Sequence, residues 1–216
     1  MILDNVQFEK NGWQNRTRYS TLSGLKYLSL PVRQTGIVSG HKMIREIELA
    51  ETAAPAKHWK TLLQRYGKAP GWPRIAERLE AILNDRHEKL LSLCLATTEL
   101  TLEIFGLKPR NVFASALPVE GQKGERVVNL VKAVGATHYL SGAGAKEYLD
   151  PAAFERAGLG LTFQEFNHPM YRQSTAKEFM PAAFALEWFI EEPDRAVEAF
   201  HKLLWSNANQ PPRCIL

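Results

Sequence analysis

The 216-residue sequence holds two cysteines, Cys94 and Cys214. They are far apart and have no CxxC spacing, and Cys94 lies inside an apolar helical pattern, so neither a disulfide framework nor a zinc site is expected. No run approaches the roughly 20 apolar residues needed to cross a bilayer. No basic stretch followed by an apolar one opens the chain, so a cytoplasmic protein with no membrane span is expected. Basic residues never gather into a run of five, and lysines alternate with glutamates along the helical patterns; this argues against a nucleic-acid partner. The 27 Lys and Arg against 23 Asp and Glu leave a net charge of +4, which is compatible with a small anionic ligand. Six histidines are scattered with no HExxH pairing, and no metal site is expected. There is no G-x-S-x-G elbow, no Ser-His-Asp arrangement, no three-glycine dinucleotide fingerprint and no P-loop lysine. The cofactor is unknown from the sequence, as is the oligomeric state. Repeats, low-complexity tracts and Gly/Ser/Pro linkers are absent too, and the length suits one core, so a single domain over 1–216 is expected.

What is present begins at the amino terminus. Met1, Ile2 and Leu3 run into Asp4, Gln7, Lys10, Gln14, Asn15, Arg16 and Arg18, with Trp13 among them. Such a mixture is poor core material. Asn11-Gly12 is a turn signal, so the stretch reads as a short strand, a turn and a second extended piece from Trp13 to Arg18. The expected result is one cleft shared by Asp4, Gln7, Asn15 and Arg16. Asp4 ends an apolar strand with cations nearby, which suits a general base or a group that orients an amine or hydroxyl. Lys10, Arg16 and Arg18 suit phosphate or carboxylate, and Trp13 offers a face to a sugar or base ring. A solvated hairpin would use the same residues with no ligand.

Leu3-Asp4-Asn5-Val6-Gln7-Phe8, followed by Trp13-Gln14-Asn15-Arg16 and then Arg18, resembles the WbqC-like proteins known from bacterial surface-polysaccharide (O-antigen) gene clusters. Four later stretches agree: Leu30-Pro31-Val32 with Gly36, Tyr66-Gly67-Lys68-Ala69-Pro70, Tyr139 to Gly144 with Tyr148-Leu149, and a Phe-rich carboxyl end. Tyr171 and Gln173 match a Tyr-x-Gln of the family. The resemblance implies an enzyme that modifies a nucleotide- or lipid-linked sugar by group transfer, a transferase of lipopolysaccharide biosynthesis. The alternatives are a non-catalytic glycan- or nucleotide-binding accessory protein and an inactive truncated member. The last alternative arises because family members usually open with a further strand and helix carrying His-Gln-Pro-x-Tyr-Leu-Pro-Trp, and this chain starts where that unit would have ended. A second departure lies at Phe184 to Glu187, where the family tends to show a Ser and an Asp. Phe184 lacks the hydroxyl, and Glu187 carries the charge on a longer arm.

Along the chain, Lys26–Val32 and Met43–Leu49 alternate as half-buried strands of a small antiparallel sheet, with Gln34 to His41 as the turn between them. Helical spacing follows from Ala54 to Tyr66 (Trp59, Leu62, Leu63, Tyr66), then through Ile75, Leu79, Ile82 and Leu83. A third helix runs from Glu88 to Phe105, with Leu91, Leu95, Thr98, Leu102 and Phe105 as its inward stripe. Trp59 and Leu102 are the expected core markers. Beyond Pro109, Asn111–Ala116, Thr137–Ser141 and Leu161–Phe166 read as strands. Gly124–Val134 reads as a helix with Val127, Leu130, Val131 and Val134 inward, and this strand-helix-strand order favours parallel pairing. Ala182–Leu204 is helical with a break at Pro193, and the last ten residues should fray. The fold class is therefore α/β: three-layer, with a partly parallel sheet, an antiparallel N-terminal hairpin lobe and a helical middle section. In that frame Ser141, Gly142 and Gly144 form a small-residue turn between strand and helix, where backbone N–H groups can approach a phosphate. Tyr171 and Gln173 follow the strand ending at Phe166, and all five join the expected substrate-binding set.

Overall fold

A computed structural model describes residues 1–9, 12–33, 42–174 and 176–206, with side chains as far as 202. Its elements in chain order are β1 (Arg16–Tyr19), β2 (Lys26–Ser29), α1 (Ala54–Tyr66), α2 (Ala76–Asn84), α3 (Leu90–Ile104), α4 (Lys123–Ala133), β3 (His138–Ser141), α5 (Pro151–Arg156), β4 (Gly160–Phe163), α6 (Ala185–Glu191) and α7 (Pro193–Ser206). The fold is mixed α/β, as the sequence predicts. Its contacts fall into two compact units: Asp4–Lys108 with His168–Trp205, and Met1–Leu3 with Pro109–Asn167.

In the larger unit β1 and β2 form an antiparallel hairpin, Arg16 facing Ser29 and Tyr19 facing Lys26. Its turn is closed by Thr21 and Gly24, which exchange backbone hydrogen bonds of 3.0 and 3.2 Å. The Thr21 hydroxyl adds a 2.6 Å bond to the Gly24 carbonyl, and Gly24 takes a φ of +116° that only glycine adopts readily. This corrects the sequence reading, in which the Trp13–Arg18 piece folds back on the residues before Gly12. The Gly12 N–H does donate to the Glu9 carbonyl at 3.1 Å, but residues 4–8 run instead beside 42–45. There Phe8 donates to Lys42, Ile44 to Val6 and Arg45 to Asp4.

The expected strand Met43–Leu49 is a 3₁₀ turn over Ile44–Glu46 flanked by single bridges, Gln7 to Met43 and Val32 to Leu49. Glu46 curls back to accept the Met43 N–H at 2.8 Å, a local bond that competes with a ladder. Within Lys26–Val32 the regular strand ends at Ser29; Leu30 still donates to Asn15 and Val32 bridges to Leu49, but Pro31 between them has no N–H to give a ladder. The alternation nonetheless marks the buried face, since Leu28, Leu30, Val32, Ile47 and Leu49 are all core. The expected turn at Gln34 to His41 and the expected frayed tail at 207–216 lie outside the described residues.

The three middle helices fall where the periodicity puts them. Pro55 sits in the first turn of α1, where its missing N–H costs nothing. Trp59, Leu62 and Tyr66 are buried, while Leu63 is exposed. In α3 the inward face is Leu90, Leu93 and Leu100. Leu91, Leu95 and Leu102 are only half-buried and Thr98 is exposed. This overturns Leu102 as a core marker: α3 is apolar on most sides, so spacing alone admits more than one stripe. Trp59 stacks on Trp72 at 5.2 Å. Residues Leu186 to Glu191 of α6 are all buried, and Pro193 opens α7 where the break is predicted.

In the smaller unit β3 and β4 pair in parallel, His138 facing Gly160 and Ser141 facing Phe163. The chain crosses between them through α5, whose Asp150 caps the helix by accepting the Ala152 N–H. Val128, Ala145, Leu149 and Phe154 form the core. Two expectations change. Asn111–Ala116 makes one parallel bridge, Phe113 to Ile2, before a 3₁₀ turn over Ala114–Ala116, so it is no full strand. The strand expected at Leu161–Phe166 spans Gly160–Phe163. A Cβ at Gly160 would stand 1.9 Å from His138 Nδ1, so any larger residue there would force the His138 ring to move from its place on β3.

Candidate functional site

The polar centre of the larger unit is Glu187, fully buried on α6. Its Oε1 accepts the Ser20 N–H at 3.0 Å and the Ser20 hydroxyl at 2.6 Å, together with the Tyr66 hydroxyl. Its Oε2 accepts the Tyr171 hydroxyl at 2.8 Å and Gln173 Nε2 at 2.9 Å. These donors come from the end of β1, the last turn of α1 and the segment before α6. A buried carboxylate has to be supplied with donors in this way. Burial and then the Glu187 charge push the Tyr66 and Tyr171 phenols far above the ordinary tyrosine range, so both hydroxyls remain donors. The Gln173 amide is fixed in orientation, because Met180 donates to its oxygen at 2.8 Å and accepts from its nitrogen at 3.0 Å.

One turn further along α6, Glu191 Oε1 accepts the Ser174 N–H at 3.2 Å and its hydroxyl at 2.7 Å. Burial pushes this carboxyl up, with the Ser174 hydrogen bonds opposing. Tyr171 and Gln173, predicted as site residues, are thus held by Glu187, a carboxylate outside the predicted site. The signals in the sequence are Tyr66 at the head of the Tyr66-Gly67-Lys68-Ala69-Pro70 stretch and Glu187 at a position where the family tends to show an Asp.

A second cluster lies on the hairpin. The Trp13 ring is 58% exposed, with the Arg18 guanidinium 4.7 Å and the Arg16 guanidinium 5.7 Å from its centroid. Arg16 also lies 4.8 Å from the Tyr27 ring, which itself sits 6.1 Å from Trp13. The alternation of β1 puts Arg16 and Arg18 on one face, and β2 brings Tyr27 opposite Arg18. Arg18 Nε donates to the Ala182 carbonyl at 3.2 Å, and the Arg18 carbonyl accepts the Phe184 N–H at 2.8 Å. The strand carrying this cluster is therefore laced to the segment leading into α6.

Of the other expected site residues, Asn15 donates its side-chain amide to the Leu30 carbonyl at 2.8 Å, which extends the hairpin by one rung. Gln7 is exposed beside Met43, Asp4 is 3% exposed, and Lys10 lies outside the described residues. In the smaller unit Ser141 ends β3 buried, its carbonyl accepting the Gln164 N–H at 2.7 Å. Gly142 and Gly144 follow it, exposed, with open space where a Cβ would stand. The Ala143–Glu147 segment after them is a 3₁₀ turn. Three histidines make local hydrogen bonds: His58 to the Ser29 carbonyl at 3.1 Å, His87 to the Ile82 carbonyl at 2.8 Å and His138 to Thr162 at 2.8 Å. Among the described residues no group of three or more His, Cys, Asp or Glu could hold a metal ion, and no helix is long and apolar enough to cross a membrane.

The chain is similar to the uncharacterized protein Rv1507c of Mycobacterium tuberculosis (strain ATCC 25618 / H37Rv), with 30% identity over 173 residues that cover 80% of this chain and 73% of the relative. No solved structure matches it. The WbqC-like protein family matches residues 1–197, a span that takes in the hairpin cluster, the Ser141 turn and the Glu187 centre, and the chain belongs to that family.

Proposed function

We propose that the protein binds a nucleotide- or lipid-linked sugar on the Trp13–Arg16–Arg18 face and modifies it by group transfer, as a cytoplasmic enzyme of bacterial surface-polysaccharide biosynthesis. The exposed Trp13 ring under two guanidinium groups carries this reading. An indole face suits the C–H surface of a sugar. Guanidinium forks suit the phosphates that link such sugars to their carrier. Gln7, Lys10 and Asn15 belong to the same binding stretch, and Asp4 is the proposed general base. Ser141, Gly142 and Gly144 are proposed as a turn whose backbone a substrate anion can approach, since nothing fills the space beside either glycine.

The test is calorimetric titration with a panel of nucleotide-linked sugars. Arg16→Ala should weaken a bound member by about 1.5 to 3 kcal/mol, the range for a charged hydrogen bond, and Trp13→Ala should weaken it too, with melting curves unchanged. A panel with no binder overturns the reading. Asp4→Asn separates the two classes of function: an enzyme loses turnover and keeps binding, whereas an accessory protein shows binding and no turnover in either form.

A further inference from the structure

Residues 171–174 and 176–179 surround a concavity of about 390 Å³ lined by Tyr171, Arg172, Gln173, Ser174, Lys177 and Phe179, with Ala176 and Glu178 beside them. Its size is near the bottom of the range of roughly 300–1,000 Å³ for small-molecule sites, which suits a single sugar with one charged substituent better than a whole nucleotide sugar. The wall is held from behind. Tyr171 and Gln173 are tied to Glu187, and Ser174 to Glu191. The Tyr171 ring sits between Trp188 at 6.0 Å and Phe179 at 5.2 Å. The buried acids thus draw the neutral donors inward, away from the space. Arg172 and Lys177 also line it; the Arg172 charge acts on Glu191 behind the wall, and Lys177 forms no ion pair among the described residues. Two cations against Glu178 leave the lining with an excess of positive charge, and a wall already fixed loses little freedom when a ligand enters.

We propose that this concavity is a binding site for the phosphate-bearing end of a monosaccharide, with Arg172 and Lys177 holding the phosphate and the Tyr171–Phe179 ring pair facing the sugar. The choice of a sugar rests on the function proposed above; the location and the preference for an anion do not.

The experiment is titration of the full chain with a hexose 1-phosphate, the parent hexose and inorganic phosphate, followed by NMR or calorimetry. The hexose phosphate should bind more tightly than either fragment. The Arg172→Ala/Lys177→Ala double variant should lose about tenfold or more in affinity, and Arg86→Ala, at an exposed cation outside both proposed sites, should keep the native value. No binding, or binding unchanged in the double variant, overturns the proposal. Nucleotide-linked sugars that bind the native protein and the Trp13→Ala variant equally would instead overturn the hairpin-face reading and leave this one standing.

Discussion

Two glutamates four positions apart on α6 should respond in opposite ways to the same substitution. Glu187 accepts from Tyr66 and both Ser20 donors on one oxygen and from Tyr171 and Gln173 on the other. A glutamine there has one acceptor oxygen, and its NH₂ must face either the Ser20 N–H or Gln173 Nε2, whose orientation Met180 fixes. Glu187→Gln should therefore cost about 2 to 4 kcal/mol, the cost of buried donors left facing a donor, and denaturant unfolding measures it. A loss below about half a kcal/mol would show that the centre can rearrange. At Glu191 the glutamine oxygen can still take both Ser174 donors. The native carboxyl is held above its ordinary range by burial, so the folded state holds its proton more tightly than the unfolded state does. The stability this contributes is fully present below the unfolded value of about 4.3 and is lost as pH rises through the folded one. Glu191→Gln should accordingly unfold with a shallower decline in stability over that window, and an unchanged pH slope would refute the assignment.

At the scale of elements, the inward face of α3 and the close approach of backbone at Gly71 decide what tolerates change. Leu100 is 1% exposed and Leu102 only half-buried. Leu100→Ala should cost about 2 to 5 kcal/mol, as for other fully buried leucines, and Leu102→Ala clearly less. Equal losses in denaturant titration would mean that α3 turns its other side inward. Gly71 donates to the Ile190 carbonyl at 2.8 Å, and a Cβ there would stand 2.3 Å from the Phe189 carbonyl oxygen and 2.9 Å from Ile190 Cα. Backbone cannot swing aside as a side chain can, so Gly71→Ala should lower the melting temperature by several degrees, on the order of 2 to 4 °C per kcal/mol for a chain of this length. The spacing of apolar residues was enough to find all three middle helices and the break at Pro193. It did not choose the face of α3, because that helix is apolar on most sides and only the elements packed against it distinguish one stripe from another.

At the scale of the whole molecule, the chain begins in the smaller unit, leaves it at Asp4, returns at Pro109 and leaves again at His168. Neither unit is a continuous piece of sequence, and no linker-like composition marks the crossings. We propose that 1–216 unfolds as one domain; scanning calorimetry should then show a single transition, and two separated transitions would overturn it. Periodicity and proline positions determined the three middle helices, the helix after Gly121, the break at Pro193 and which residues of the short extended segments face inward, because these follow from the local backbone period; the turn between β1 and β2, at Thr21 to Gly24 rather than at Asn11-Gly12, did not follow from them. The order of motifs along the chain determined the family. The tertiary structure alone decided that β1 pairs with β2, that β3 pairs with β4, and that Ser20 and Tyr66 meet Glu187 across 167 and 121 residues of sequence. Burial dictates that a carboxylate in the core must find donors. Which donors it finds depends on elements remote in sequence that packing brings together, and no local pattern encodes that.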